Sequence, residues 1–176
     1  MDLIDVYLGL GGNIGDTYAV MQAALQNIAA IDGVYQVEAS QFYITSPVGG
    51  PKQADYLNGV CRLKTSLAAH DLFVRLQQIE SALGKRPKPK NDPRIIDIDF
   101  LFYGKERYQT KELEIPHPRW KERLFVLIPL SDLVTTLTIP SHTSSGFTKI
   151  DLPQFIDAFP NIHNETISLQ KAKLAV

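Results

Sequence analysis

Residues 95–103 read Ile-Ile-Asp-Ile-Asp-Phe-Leu-Phe-Tyr, and the assignment of this run settles the fold. Rich in β-branched and aromatic side chains and free of glycine and proline, it specifies a strand, expected at the centre of a sheet. On a strand Asp97 and Asp99 share one face, while Ile96, Ile98 and Phe100 turn to the other. Upstream, residues 67–83 place Leu72, Leu76, Ile79 and Leu83 at helical spacing, with Ser66 as the expected N-cap and Gly84 as the terminator. Residues 56–64 and 34–43 read as strands separated by the punctuated loop SPVGGP at 46–51. Residues 4–10 are a strand ending in Gly-Gly-Asn-Ile-Gly-Asp. A helix capped by Asp16 comes next, with Tyr18, Met21, Leu25 and Ile28 on one face, and Asp32-Gly33 turns the chain. The order β-α-β-β-α-β predicts an α+β fold, a ferredoxin-like sandwich with an antiparallel sheet and helices packed on one face. Residues 124–133 add a helix, and 155–176 are expected to form a weakly patterned, packed tail. With no repeat and no linker, residues 1–176 are expected to form a single domain.

Eighteen Lys and Arg nearly cancel nineteen Asp and Glu, so no global field recruits nucleic acid or an anionic membrane. Any anion site is built locally. Cys61 is the lone cysteine and excludes an internal disulfide. Its strand-like surroundings suit a buried, inert thiol. The acidic start MDLIDVYLGL lacks the basic leader of a signal peptide, and no apolar run reaches membrane-span length, so a cytoplasmic location is expected.

Two carboxylates as close as those of Asp97 and Asp99 repel, and a buried pair needs positive charge between them. Mg2+ suits such a pair, completing its shell with phosphate oxygens and water; a solvated strand face with two chance acids fits the same pattern. The segment just before them carries Lys85, Arg86, Lys88, Lys90 and Arg94 against the single acid Asp92. A cationic loop feeding a carboxylate pair is what phosphoryl transfer asks for, and tips the reading towards a metal site. Tyr56 and Asn58 share a strand face, offering a ring and an amide to a flat heterocycle, or simply standing at an edge. Gln77 and Glu80 lie one turn apart beside the apolar stripe of their helix. His117, flanked by prolines, reads as structural from its surroundings alone. The cluster GLGGNIGD meets neither the dinucleotide-binding spacing nor the Walker pattern, so Gly9, Gly11, Gly12 and Gly15 are assigned to turn and close packing.

The blocks YLGLGGNIGD, SPVGGPKQADYLNGV, IESALGKR…PRIIDIDFLFYG and IPHPRWKERLFVLIPL occur in this order over about residues 3–135. Together they resemble the 6-hydroxymethyl-7,8-dihydropterin pyrophosphokinase family of folate biosynthesis. The resemblance implies a ferredoxin-like fold and transfer of the β,γ-diphosphate of ATP to the pterin hydroxymethyl group, releasing AMP. It implies two Mg2+ ions on Asp97 and Asp99, and Tyr56 and Phe125 as walls around the pterin. Asn58, with backbone near Thr45 and Val48, would read the pterin edge. Gln77, Glu80, Arg94, His117 and Arg123 resemble the family's nucleotide contacts, with Phe73 and the backbone near Phe100 flanking adenosine. Arg94, with Lys85 and Arg86 as lid cations, would serve catalysis. A dihydropteroate synthase is the implied functional neighbour. Where the family usually has Arg-Trp-Gly-Pro-Arg, this chain has Lys90-Asn91-Asp92-Pro93-Arg94, in a lid one residue shorter. Its usual Gly-Ser-Asn is Gly11-Gly12-Asn13.

Overall fold

The computed structural model describes residues 2–48, 50–87, 89, 92–141, 146–160 and 166–169. In chain order the elements are β1 (Ile4–Gly12), α1 (Thr17–Ala29), β2 (Val34–Ala39), β3 (Tyr43–Thr45), β4 (Tyr56–Thr65), α2 (Ala69–Ala82) and β5 (Asp97–Tyr103). They continue with β6 (Tyr108–Gln109), β7 (Glu114–Ile115), a 3-10 turn (Trp120–Glu122), α3 (Leu124–Leu133), β8 (Thr136–Pro140), β9 (Phe147–Asp151), α4 (Leu152–Asp157) and β10 (Ile167–Leu169). The main sheet runs β10-β3-β4-β1-β5, with β2 beside β3 on the same edge of β4, and every pairing is antiparallel. This is the expected ferredoxin-like arrangement.

Local chemistry explains most boundaries. Asp16 caps α1 through Oδ1, which accepts from the Ala19 N–H at 3.0 Å. Helix α2 begins two residues later than expected, at an Ala68 cap without a side-chain bond, so Ser66 lies upstream of the cap position, its N–H donating to the Gly33 carbonyl. At its other end Gly84 takes φ +100°, its N–H donating to the Ser81 carbonyl and the Lys85 N–H to the Glu80 carbonyl. That Schellman turn folds Lys85 back over the last turn of the helix.

The single strand expected over 34–43 is two strands. Phe42 leaves the line and buries completely, its ring so close to Gly59 that a Cβ there would sit 2.6 Å from it. Nor is β5 central. It is the terminal strand, yet both its faces are covered, which accounts for its unbroken apolar run. A bulge opposite Tyr7 and Leu8 reverses the alternation, so Phe100 and Tyr103 join one core cluster while Leu101 and Phe102 join the other.

The first cluster packs Met21, Leu25 and Ile28 of α1 and Leu72 and Leu76 of α2 against Val6, Leu8, Leu63 and Ile98. The second lies on the opposite face, where Val126, Leu127 and Leu130 of α3 meet Tyr7, Val60 and Leu101, with Leu137, Ile139 and Leu152 outside them. The β-α-β-β-α-β unit thus keeps its helices on one face, and α3, the β8–β9 hairpin and α4 cover the other. The region read as a weakly patterned tail, 155–176, holds the end of α4 and β10, and the β8–β9 hairpin precedes it. Cys61 is fully buried, and burial pushes its thiol pKa up to about 12. Among the described residues, no helix is long and apolar enough to cross a membrane.

Candidate active site

Asp97 and Asp99 open β5 and face β1 at Gly11 and Gly9 respectively. The bare glycines leave this face open. A Cβ at Gly11 would sit 2.3 Å from Asn58 Oδ1, so the Asn58 amide occupies the space a side chain would take, and its Nδ2 donates to Thr45 Oγ1 at 2.7 Å. A Cβ at Gly12 would sit 2.2 Å from the Ile95 carbonyl oxygen. The serine usual in the family therefore has no room here without a backbone shift, and Gly12 fits the close approach of residues 94–95.

Each carboxylate carries its own cations. Asp97 is bound by Arg94 and, at 2.8 Å, by Lys85 Nζ. Asp99 Oδ2 accepts from Arg123 Nη1 at 3.0 Å. His117 Nε2 stands 4.0 Å away, an approach and not an ion pair, because burial lowers the imidazole pKa despite the pull of Asp99. Its Nδ1 accepts from the Arg119 N–H at 3.1 Å, so in the neutral ring Nε2 bears the proton and turns it towards Asp99. The repulsion anticipated between the acids is offset from both flanks.

Lys85 owes its place to the Schellman turn and to Glu80. The Glu80 side chain is 9% exposed, and its Oε1 accepts from Lys85 Nζ at 2.7 Å and from the Ile98 N–H at 2.6 Å. Burial raises the Glu80 pKa against both donors. For Lys85 burial works downwards, but the bonds to Asp97 and Glu80 prevail and the pKa rises. Glu80 thus sets a cation and a strand amide. Arg94 is set by Asn13, whose Oδ1 accepts from the Arg94 N–H at 2.9 Å and whose own N–H donates to the Arg94 carbonyl at 2.9 Å. Asn13 Nδ2 also holds Gln53 and the Ala54 carbonyl, both at 2.9 Å.

Two cavities meet here. One, of about 410 Å³, is lined by Thr45, Val48, Tyr56, Asn58, Arg123 and Phe125 together with Arg94, Asp97 and Asp99. The other, of about 470 Å³, is lined by Gln77, Glu80, Lys85 and Arg86, and shares Arg94 and Asp97 with the first. Arg86 is exposed and donates to the adjacent Lys85 carbonyl at 3.0 Å. Phe73 and Phe100 line neither cavity. Phe73 packs against the first core cluster and Phe100 is buried within it, leaving only backbone for a ligand at position 100. Lys88, Lys90 and Asn91 lie outside the described residues.

Sequence reasoning missed Asn13, Gln53, Arg119 and Glu122. Asn13 was hidden inside a glycine cluster read as a turn. Arg119 and Glu122 line the first cavity from the 3-10 turn, which has no periodicity to reveal which way a side chain faces. Among the described residues no three His, Cys, Asp or Glu side chains come together. Two hard carboxylate donors open to a cavity still fit Mg2+, which draws the rest of its shell from phosphate and water.

A ferredoxin-like sheet bearing a cation-flanked carboxylate pair where two cavities meet defines a kinase-type transferase. The chain belongs to the 7,8-dihydro-6-hydroxymethylpterin-pyrophosphokinase family, whose sequence model matches residues 7–135, and is a pyrophosphokinase of folate biosynthesis. Two relatives, each named 2-amino-4-hydroxy-6-hydroxymethyldihydropteridine pyrophosphokinase, are 39% identical. That of Methylorubrum extorquens aligns over 78% of this chain and 87% of its own, that of Bacillus subtilis over 72% and 76%. A folic acid synthesis protein of Dictyostelium discoideum is 36% identical over 90% of this chain, which spans only 23% of that protein. A Plasmodium falciparum HPPK-DHPS structure superposes on 98% of this chain and 52% of its own with a TM-score of 0.64, at 13% identity. At that identity the likeness concerns the fold alone.

Proposed function

We propose that this chain carries out its family's reaction in full, moving the β,γ-diphosphate of ATP to 6-hydroxymethyl-7,8-dihydropterin and releasing AMP. The observation that carries this reading is the sharing of Arg94 and Asp97 by two cavities, one walled by rings and an amide, the other by helix α2 and its cations. An acceptor in the first and a donor in the second meet at the carboxylate pair. The pterin hydroxyl oxygen forms a bond to the β-phosphorus and releases its proton to solvent, the bond between the β-phosphorus and the α,β-bridging oxygen breaks, and AMP leaves with the electron pair. Tyr56, Phe125 and Asn58 hold the heterocycle, and Thr45 and Val48 border its edge. Gln77 and Glu80 line the nucleotide side. Arg123, on the first cavity's wall, and His117, beside Asp99, would meet the triphosphate from across the carboxylate pair, with Phe73 and the backbone at Phe100 more remote.

Asp97 and Asp99 would hold two Mg2+ ions, which when bound supply charge neutralisation on the triphosphate and polarisation of the acceptor oxygen. Arg94, Lys85 and Arg86 then carry positive charge towards the phosphates. On this reading Lys85 leaves Asp97 as metal and nucleotide arrive. The chain works as one unit, in the cytoplasm where ATP is supplied, next to a dihydropteroate synthase activity that consumes the product. Purified protein given ATP, Mg2+ and the pterin should form AMP and pterin diphosphate in equal amounts. ADP as the product would overturn the reading.

A second expectation concerns the ring walls. Arg123 already stacks on one face of Phe125, its guanidinium carbon 5.5 Å from the ring centroid. Phe125→Ala removes a wall and frees that arginine, so pterin affinity should fall by about 1–3 kcal/mol, the scale of lost aromatic burial and stacking. Nucleotide affinity should change much less. Calorimetry with a non-hydrolysable ATP analogue separates the two, and equal losses for both ligands would count against the sandwich.

A further inference from the structure

Residues 166–169 lie beyond the family match at 7–135, yet they reach the rim of the first cavity. β10 runs antiparallel to β3, with Ile167 opposite Thr45, Ser168 opposite Ile44 and Leu169 opposite Tyr43. One residue further on, the pairing becomes reciprocal. The Ser46 N–H donates to the Thr166 carbonyl at 3.0 Å, and the Thr166 N–H donates to Ser46 Oγ at 2.9 Å. Thr45, Ser46, Pro47 and Val48 line the cavity immediately after this point.

β3 needs such help. It has three residues, against Tyr56, Leu57 and Asn58 of β4. Its far end is tied to α3, where Tyr43 Oη donates to Asp132 at 3.0 Å. Its near end opens into SPVGGP, whose prolines lack an N–H to pair and whose glycines restrain nothing. From the β4 side a side-chain hold comes from the bond between Asn58 Nδ2 and Thr45 Oγ1. A short edge strand leading into such a loop would leave its carbonyls and amides free to wander. β10 removes that freedom where the cavity begins.

We propose that Thr166 and β10 are positioning elements for the acceptor pocket, fixing the backbone at Thr45–Ser46 opposite Tyr56 and Asn58. This rests on the reading of that cavity as the pterin site. The bland alternative is that β10 merely covers a sheet edge. Edge cover affects stability and association but leaves ligand discrimination alone, so the two readings part on affinity.

The test uses the full chain with Thr166→Pro, which deletes the N–H that reaches Ser46, and with Ser46→Ala, which deletes the acceptor. Loss of one or two backbone-type hydrogen bonds predicts a roughly tenfold weaker pterin affinity for Thr166→Pro, measured with the non-hydrolysable ATP analogue present. Ser46→Ala should move it the same way by less. Nucleotide affinity should stay within about twofold, and the backbone amide at position 46 should exchange faster with deuterium in both variants. If Thr166→Pro does not fold, Ser46→Ala with its exchange readout decides alone. A lower melting temperature with unchanged pterin affinity would overturn the proposal in favour of edge cover, as would equal losses for both ligands. Failure of the parent protein itself to bind pterin would overturn the functional reading and this inference with it.

Discussion

Asp97→Ala and Asp99→Ala are each expected to cut pterin diphosphate formation by roughly three orders of magnitude, the upper scale for losing one preorganised stabiliser of transition-state charge. Either change removes one of two hard oxygen donors, and among the described residues no group of three His, Cys, Asp or Glu is arranged to hold a metal ion. Stability should respond differently in the two. Relief of repulsion between neighbouring acids would by itself make both variants hold or gain stability. The ion pairs reverse that expectation for Asp97, which neutralises Lys85 and Arg94 and is 21% exposed. Its loss leaves Arg94 without a carboxylate and Lys85 with Glu80 alone, at a cost of about 1 kcal/mol once solvent screening is allowed for. Asp99, at 37% exposed and facing chiefly Arg123, should cost less. Turnover across a Mg2+ titration and the melting temperature should be measured together. Near-normal turnover of either variant at limiting Mg2+ would sink the metal assignment.

How much of this was legible before the structure depends on the kind of residue. The Asp16 cap, the Gly84 stop and the periodic faces of α1 and α2 are local signals, and they led to the right helices apart from the start of α2. The D-x-D face came from strand geometry alone. Strand order along the sheet is non-local, and an apolar run covered on two faces looks the same at a centre or an edge, which is why β5 was misplaced. Phe42 broke a strand because Gly59, seventeen residues on, leaves a space for its ring. Asn13 showed the same limit at the site. Its partners Gln53 and Arg94 are 40 and 81 residues away, and a glycine cluster gives no hint of them. β10 is three residues long, too short for any periodicity.

Arg94→Ala is the second large effect expected, a fall in turnover of about a hundredfold to a thousandfold with the fold retained. The reason lies in how the residue is held. Its backbone is clamped by Asn13 on both the N–H and the carbonyl, independently of its side chain. Truncation should therefore leave residues 92–96 in place and remove only the guanidinium. That group lies where the two cavities join, its Nη1 on Asp97 and its Nε on the Asp92 carbonyl at 3.1 Å. Burial alone would lower its pKa, but the bond to Asp97 outweighs it, so the charge is always present. Arg94→Lys keeps the charge and gives up the planar fork, since one ammonium cannot span both partners with the same geometry. It should recover only part of the lost rate. Asn13→Ala reverses the experiment, leaving the guanidinium in place and loosening the backbone that aims it, so turnover should fall by less than in Arg94→Ala. Steady-state rates at saturating ATP, pterin and Mg2+ for the three variants should give the order Asn13→Ala, Arg94→Lys, Arg94→Ala from least to most impaired. Full activity in Arg94→Lys would mean that charge suffices without the fork, and near-normal turnover in Arg94→Ala would remove the residue from the reaction altogether.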